Sequence, residues 1–198
     1  MAKTNMYYED NRDIRHDIQE LQLELLGMPM RFVTDAGVFS KSAIDYGSRV
    51  LLDNFSPIGQ SLLDVGCGYG PIGLTLSKKY QLTATLSDVN TRALDLAAQN
   101  AEKNGIIATI VNSDGYAEIT GQFDNIVTNP PIRAGKDVVH GILSGAYAYL
   151  KNGGQLLAVL QKKQGAPSAQ KKMAEVFGNC EIVARDKGYY ILRSVKLN

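Results

Sequence analysis

Two short stretches of this chain combine residue types and spacing that could do chemistry. The first is Asn129-Pro130-Pro131-Ile132. A planar amino nitrogen, such as the exocyclic amine of a nucleobase or a side-chain amide, is a poor nucleophile because its lone pair is delocalised into the ring or carbonyl. Two acceptors that bind its two N–H groups can turn that lone pair toward an electrophile. The side-chain oxygen of Asn129 is one candidate acceptor. The backbone carbonyl of Pro130, which the following Pro131 holds in an extended geometry, is the other. Ile132 completes the tetrad, where it could pack against a ring face. Such catalysis rests on positioning and electrostatics and needs no metal, covalent intermediate or histidine base. Neither His16 nor His140 sits in a motif that suggests a base. The plainer reading of the tetrad is a loop that stops a strand, since proline cannot donate to a ladder.

The second stretch is Asp64-Val65-Gly66-Cys67-Gly68-Tyr69-Gly70, between an apolar strand-like run (61–65) and a helical pattern (71–79). Glycines at a strand-to-helix turn let backbone approach a ligand, and the helix N-terminus offers free N–H groups. Two ligand classes fit. Gly68-Tyr69-Gly70-Pro71-Ile72-Gly73 is a literal dinucleotide fingerprint, and Asp88 falls about 20 residues on, where that fingerprint wants a ribose acceptor. The turn, however, begins at Gly66, ahead of that frame. Asp64 beside it suits a ligand with a cationic amino group, whereas a pyrophosphate would be repelled. Asp88 can accept ribose hydroxyls in either case.

The elements that must position these residues follow from periodicity. Leu21, Leu23 and Leu25 alternate with polar residues, Gly27-Met28-Pro29 would turn the chain, and 30–34 would return: a hairpin. Residues 43–55 read as a helix. From Ser61 the chain alternates strand (61–65), helix (71–79), strand (81–86, ending at Asp88), helix (90–104), strand (106–111, ending near Asp114), strand (123–128), helix (136–150), strand (155–160) and helix (167–177). Asn90 can cap its helix and Gly105 can close it. Residues 180–184 and 189–195 are strands joined only by a tight turn around Lys187-Gly188, so one must run against the other. The expected fold is α/β. It is a Rossmann-like, doubly wound, seven-stranded, mostly parallel sheet with an antiparallel last strand, preceded by a small N-terminal hairpin and helix. With 198 residues, we expect a single domain over 1–198, its extension being 1–56 and its cofactor-binding catalytic core 57–198.

On these residues the chain resembles the class I methyltransferases, which take their methyl group from S-adenosylmethionine. The resemblance covers about residues 61–198. It implies that Asp64, Gly66, Cys67, Gly68 and Gly70 cradle the methionine part of the cofactor. It implies also that Asp88, with Val89 beside it, holds the ribose, and that Asp114 reads the adenine amine. Asn129 would border both cofactor and substrate. The tetrad is similar to the Asn-Pro-Pro-aromatic motif of amino methyltransferases that act on nucleobases or on a glutamine of release factors. Here Ile132 replaces the aromatic, and Phe39 is a candidate to stack instead.

Residues 37–40 (Gly-Val-Phe-Ser), 45–49 (Asp-Tyr-Gly-Ser-Arg), 129–136 and 161–166 resemble more narrowly the small-subunit ribosomal RNA guanine-N2 methyltransferases, nearly from Tyr7 onward. That implies methyl transfer to guanine N2, with S-adenosylhomocysteine as product and ribosomal RNA or the small subunit as partner. Phe39, Arg133, Lys136, Lys162, Lys163 and Gln164 become candidate substrate contacts. Lysines and arginines at strand ends can grip phosphates around a flipped nucleotide, though singly each is equally an ordinary loop residue. The rival readings are glutamine-amide methylation, an NAD(P)-dependent oxidoreductase, and a silent RNA-binding module.

Composition bounds the classes. Hydrophobic residues are 44% of the chain, enough for a sizeable core. No apolar run approaches the ~18 residues of a membrane span, and residues 1–11 are polar with no signal-peptide core. Cys67 and Cys180 are isolated and match no zinc or disulfide pattern, so free thiols, a cytoplasmic setting and no metal are expected. Net charge is +1, but residues 150–198 carry nine basic and three acidic side chains, while 1–60 carry six and nine. A basic C-terminal third could attract phosphates, or simply be a solvated face.

Overall fold

The computed structural model describes residues 15–197. The reading of residues 1–11 and the start of the extension lie outside them. Strands β1 (Gln19–Leu25) and β2 (Met28–Thr34) pair antiparallel. Their turn is Leu26-Gly27, both with positive φ, the backbone twist that two-residue hairpins favour. It lies earlier than the sequence pattern suggested, so Pro29 sits within β2, opposite Glu24.

The main sheet is built from β3 (Ser61–Val65), β4 (Thr83–Asp88), β5 (Ala108–Asn112), β6 (Phe123–Thr128), β7 (Leu150–Gln161), β8 (Glu181–Asp186) and β9 (Tyr189–Val195). Its spatial order is β5-β4-β3-β6-β7-β9-β8. β3 through β7 run parallel. β9, the last strand in the chain, runs antiparallel to both β7 and β8 between them. Helices α1 (Tyr46–Asp53), α2 (Pro71–Tyr80) and α3 (Thr91–Lys103) contribute to one apolar cluster. Helices α4 (Lys136–Tyr149) and α5 (Ala166–Phe177) contribute to the other. The sheet lies between these layers, as parallel sheets require.

Two boundaries differ from the sequence reading for identifiable reasons. The helix expected over 43–55 starts only at Tyr46, because Asp45 takes extended dihedrals and its carboxylate caps Ser48 N (3.1 Å). The polar run 151–154, read as a stop, belongs to β7. There Gly153 N donates to Lys196 O and Lys196 N donates to Gly154 O, so the antiparallel neighbour draws it into the ladder.

The hairpin is fastened to α3 by two asparagines. Asn100 exchanges hydrogen bonds with Val33, accepting from its N–H (2.6 Å) and donating to its carbonyl (3.0 Å). One turn on, Asn104 does the same with Arg31 (3.0 and 2.7 Å). A helical turn of four residues rises about 6 Å, close to the ~6.7 Å of two strand residues. The two amides therefore stand in for a neighbouring strand along β2. Asn100 is fully buried and also donates to the carbonyl of Tyr69 in the glycine turn (2.9 Å), so one side chain joins hairpin, helix and turn. Replacing Asn100 by Ala should lower the unfolding free energy by roughly 3 kcal/mol, because it strands buried backbone groups. Asn104→Ala, at the surface, should cost under ~1 kcal/mol. Urea denaturation of both variants checks this, and equal losses would mean that the Asn100 bonds do not carry the attachment.

Candidate active site

The parallel strands deliver their C-terminal ends to one rim, and β3 and β6 meet there where the sheet order reverses. Open α/β sheets bind ligands at such a point. After β3, Gly66, Gly68 and Gly70 have φ of 73°, 56° and 93°, left-handed values that side chains rarely adopt. The turn is closed by Gly68 N donating to Asp88 Oδ2 at 2.8 Å, while Asn90 N donates to Asp88 Oδ1 at 2.9 Å. Burial holds the Asp88 carboxyl above its usual range, against the pull of the Asn90, Gly68 and Val89 amides. Gly70 precedes Pro71, the first residue of α2. Gly73 is needed for packing, because a Cβ there would stand 2.9 Å from Asp64 Oδ2.

A cavity of about 550 Å³ opens on this rim. Its floor is Val65, Gly66, Cys67, Gly68 and Tyr69. One side carries Asp88, Val89, Ser113 and Asp114, and the other carries Asn129 and Pro131 with Asp45 and Ser48 of the α1 start. Phe39, Ser40, Ala134, Val138 and Ile142 add to the wall, and Phe39 and Val138 are exposed apolar residues. The Phe39 loop is anchored from below: Asn90 Nδ2 donates to Gly37 O (3.0 Å), Arg92 donates to Ala36 O (3.2 Å), and Tyr69 donates to Ser40 O (3.3 Å).

The lining includes three carboxylates, Asp45, Asp88 and Asp114, and no Lys, Arg or His. Such a site attracts a ligand of net positive charge and repels a pyrophosphate. S-adenosylmethionine, with a sulfonium, an ammonium and one carboxylate, has that charge. The dinucleotide frame Gly68–Gly73 does not fit a site of this sign.

Some expected site residues stand elsewhere. Asp64 lies beneath the floor rather than on the wall: it is 1% exposed, and its Oδ2 accepts from Gly73 N (2.8 Å) while its Oδ1 has no partner. Burial raises its carboxyl to about 7. Gly70 and Pro130 are buried off the lining, the first because it forms the helix junction. Ile132 begins a short 3-10 turn and packs half-buried against the α4–α5 cluster, so the tetrad's fourth side chain is turned to the core and Phe39 supplies the aromatic surface. Arg133, Lys136, Lys162, Lys163 and Gln164 are exposed on the turns that follow β6 and β7, outside the cavity. Of the two tyrosines near the motifs, Tyr69 lines the cavity, whereas Tyr116 is buried against α4, donating to Ile142 O. Cys67 lines the floor, with its thiol pushed up by burial and by Asp88 and Asp64, hence neutral. Sequence reasoning gave no role at the site to Ser113, Val138 or Ile142. Asp45 and Ser48 had entered only through the resemblance. The Asx cap at the head of α1 was the local signal that could have singled them out.

Fold and site together define a class I, S-adenosylmethionine-dependent methyltransferase. The chain belongs to the methyltransferase small domain family, which matches residues 29–193. It is 44% identical over 197 residues to the uncharacterized protein YbxB of Bacillus subtilis (strain 168), covering 98% of that protein. It is 33% identical over 165 residues to ribosomal RNA small subunit methyltransferase C of Enterobacter sp. (strain 638), covering 80% of this chain and 47% of that one. Among solved structures it is similar to the Thermus thermophilus 16S rRNA N2 methyltransferase RsmC in complex with AdoMet and guanosine, with a TM-score of 0.82, 26% identity, and coverage of 90% and 50%. The chain thus spans about half the length of the ribosomal RNA methyltransferases it matches. No helix among the described residues is long and apolar enough to cross a membrane, and no group of three or more His, Cys, Asp or Glu among them could hold a metal.

Asp88→Ala should weaken S-adenosylmethionine binding by roughly 10- to 100-fold, the equivalent of a charge-assisted hydrogen bond. Calorimetric titration checks it, and unchanged affinity would place the ribose contact elsewhere. Asp64 makes a second expectation. Its raised carboxyl means that the fold prefers the protonated form, so its contribution to stability falls as pH rises from the ordinary carboxylate range through about 7. Asp64→Asn should therefore flatten the dependence of Tm on pH between 5 and 8. A variant with the slope of the parent would show that Asp64 does not titrate there.

Proposed function

We propose that this chain transfers a methyl group from S-adenosylmethionine to the exocyclic N2 amine of a guanine in small-subunit ribosomal RNA, acting in the cytoplasm. The observation that carries the reading is the setting of Asn129. It lines the cavity just past β6, and its Nδ2 donates to Asp45 Oδ2 (3.1 Å) and to Ser48 Oγ (3.0 Å). With its amino end so engaged, the amide has Oδ1 to offer as an acceptor. The Pro130 carbonyl, restrained by Pro131, is the second acceptor in this reading, Pro130 being a buried residue between two, Asn129 and Pro131, that both line the cavity. Two acceptors on a planar amine orient its lone pair out of conjugation and toward the sulfonium methyl that the cofactor supplies. The residues here hold the amine and accept its hydrogens, which is catalysis by orientation and electrostatics. Phe39 and Pro131 offer apolar surface to a flat ring, in place of the aromatic that Ile132 does not provide.

The charge distribution supports an RNA partner. The cavity is acidic, but Lys162 and Lys163 lead out of β7 on a turn tied by Lys162 N to Gly188 O (2.8 Å), beside Lys187. Arg133 and Lys136 stand beyond the tetrad. These side chains, with Gln164, are the proposed contacts to RNA flanking the target. The names of the relatives, ribosomal RNA small subunit methyltransferase C, support the same substrate class.

The test is transfer of labelled methyl from S-adenosylmethionine to small-subunit RNA and to intact small subunits, followed by nucleoside analysis. We expect N2-methylguanosine, with a KM for RNA that rises steeply with salt. Asn129→Ala should lower kcat by roughly 10²–10³, as for loss of one transition-state hydrogen-bond partner, with cofactor affinity nearly unchanged. Label on a release-factor glutamine instead, independent of RNA, would overturn the substrate assignment. Full turnover without Asn129 would overturn the mechanism.

A further inference from the structure

The Asn129 amide has two ends of similar size and shape, and only one of them can serve an incoming amine. If NH₂ rather than oxygen faced the cavity, donor would meet donor and the substrate would be repelled. Something must set the polarity of this side chain, and the neighbours of Nδ2 identify it. Ser48 Oγ is a hydroxyl, able to donate or accept, so it pairs with either end of the amide. Asp45 is different: an ionised carboxylate only accepts. With Asp45 Oδ2 3.1 Å from one terminal atom of Asn129, that atom must be the nitrogen, and the oxygen is turned the other way.

We infer that Asp45, assisted by Ser48, is a positioning residue that locks the Asn129 amide with its oxygen toward the target amine. This inference rests on the amine-acceptor role of Asn129 proposed above.

The local structure fits the task. Asp45 and Ser48 are the cap and third residue of α1, and Asp45 Oδ2 also accepts from Ser48 N at 3.1 Å. One carboxylate oxygen therefore serves the helix end and the Asn129 amide together. Ser48 is 4% exposed, deeper than capping requires, and its hydroxyl meets Asn129 at 3.0 Å. The head of α1 is in turn held against the tip of the β8–β9 hairpin. Tyr46 donates to Asp186 Oδ2 (2.6 Å), Lys187 lies over the Tyr46 ring, and the Tyr189 ring packs so closely on Gly47 that a Cβ there would stand 2.6 Å from it. The amide is thus referenced to a rigid sheet edge as well as to its own loop, which is how a positioned group is kept within tolerance.

Capping and positioning can be separated by substitution. Serine caps a helix about as well as aspartate, but its shorter side chain does not reach Asn129. Asp45→Ser should keep the parent Tm within a degree or two, and it is assayed at saturating S-adenosylmethionine because Asp45 is also a lining carboxylate. It should lower kcat on small-subunit RNA by roughly 10- to 100-fold, the range for a lost hydrogen bond to a charged group. Ser48→Thr, which keeps the hydroxyl, should be more active than Ser48→Ala. In an Asn129→Ala background, Asp45→Ser should cause no further loss of turnover, because its effect passes through the amide. An additive loss would overturn the inference while leaving the role of Asn129 intact. An Asn129→Ala enzyme with full turnover would instead overturn the reading beneath it. A second arm is independent of activity. In nitrogen-labelled protein, the Asn129 side-chain NH₂ should show slowed exchange with solvent that Asp45→Ser abolishes and Asp53→Ser does not. Unchanged exchange in Asp45→Ser would also overturn it.

Discussion

The pairing of β3 with β6 is the constraint on which the rest of the site depends. Leu62, Leu63 and Asp64 run parallel to Asn125, Ile126 and Val127, and Thr128 Oγ1 donates to Val65 O (2.8 Å) to lock the last step. Parallel strands end on the same side, so this register puts Gly66 and Asn129 just past the ends of adjacent strands, although more than sixty residues separate them. Had the two strands run antiparallel, the glycine turn and the Asn-Pro-Pro loop would stand at opposite ends of the sheet. Helices on both faces then fix the strands in depth, and the cavity forms where the crossovers part.

The second organising feature is a division of charge. Carboxylates gather inside the cavity, where they suit a small cation, and basic side chains gather outside it, on the turns after β6 and β7 and along the C-terminal third. A net charge of +1 conceals this arrangement. One molecule thereby presents a negative field inside the cavity and a positive one around it. The internal carboxylates are not all equivalent. Asp88 opens to the cavity and closes the glycine turn, whereas Asp64 is sealed under it, kept near neutrality by burial and tied only to Gly73.

The site was legible in the sequence to an unequal degree. Strand ends marked by acidic residues, the alternating glycines and the Asn-Pro-Pro loop were readable because each is a local solution to a local problem: a turn of unusual φ, a helix start, a strand stop. The departures arose where distant chain segments decide. Ile132 looked like a substrate contact from its place in the tetrad, but the 3-10 turn it begins rotates it toward α4 and α5. The run 151–154 looked like an interruption, and its pairing with Lys196 makes it strand. Asp45 falls inside the helix that the sequence pattern suggests over 43–55, and only the fold makes it the cap of α1 and brings it to Asn129, 84 residues away.

Periodicity, glycine placement and strand-end chemistry by themselves determined the α/β alternation, the reversed last strand and the three motifs that face one rim, because these follow from backbone sterics and burial within short windows. Tertiary structure alone decided the order of the strands, the seating of the hairpin on Asn100 and Asn104, the exclusion of Asp64 from the cavity wall and the partners of the Asn129 amide. Those depend on which surfaces meet across the sheet, and no local pattern encodes the identity of a residue's neighbour when that neighbour is tens of residues away.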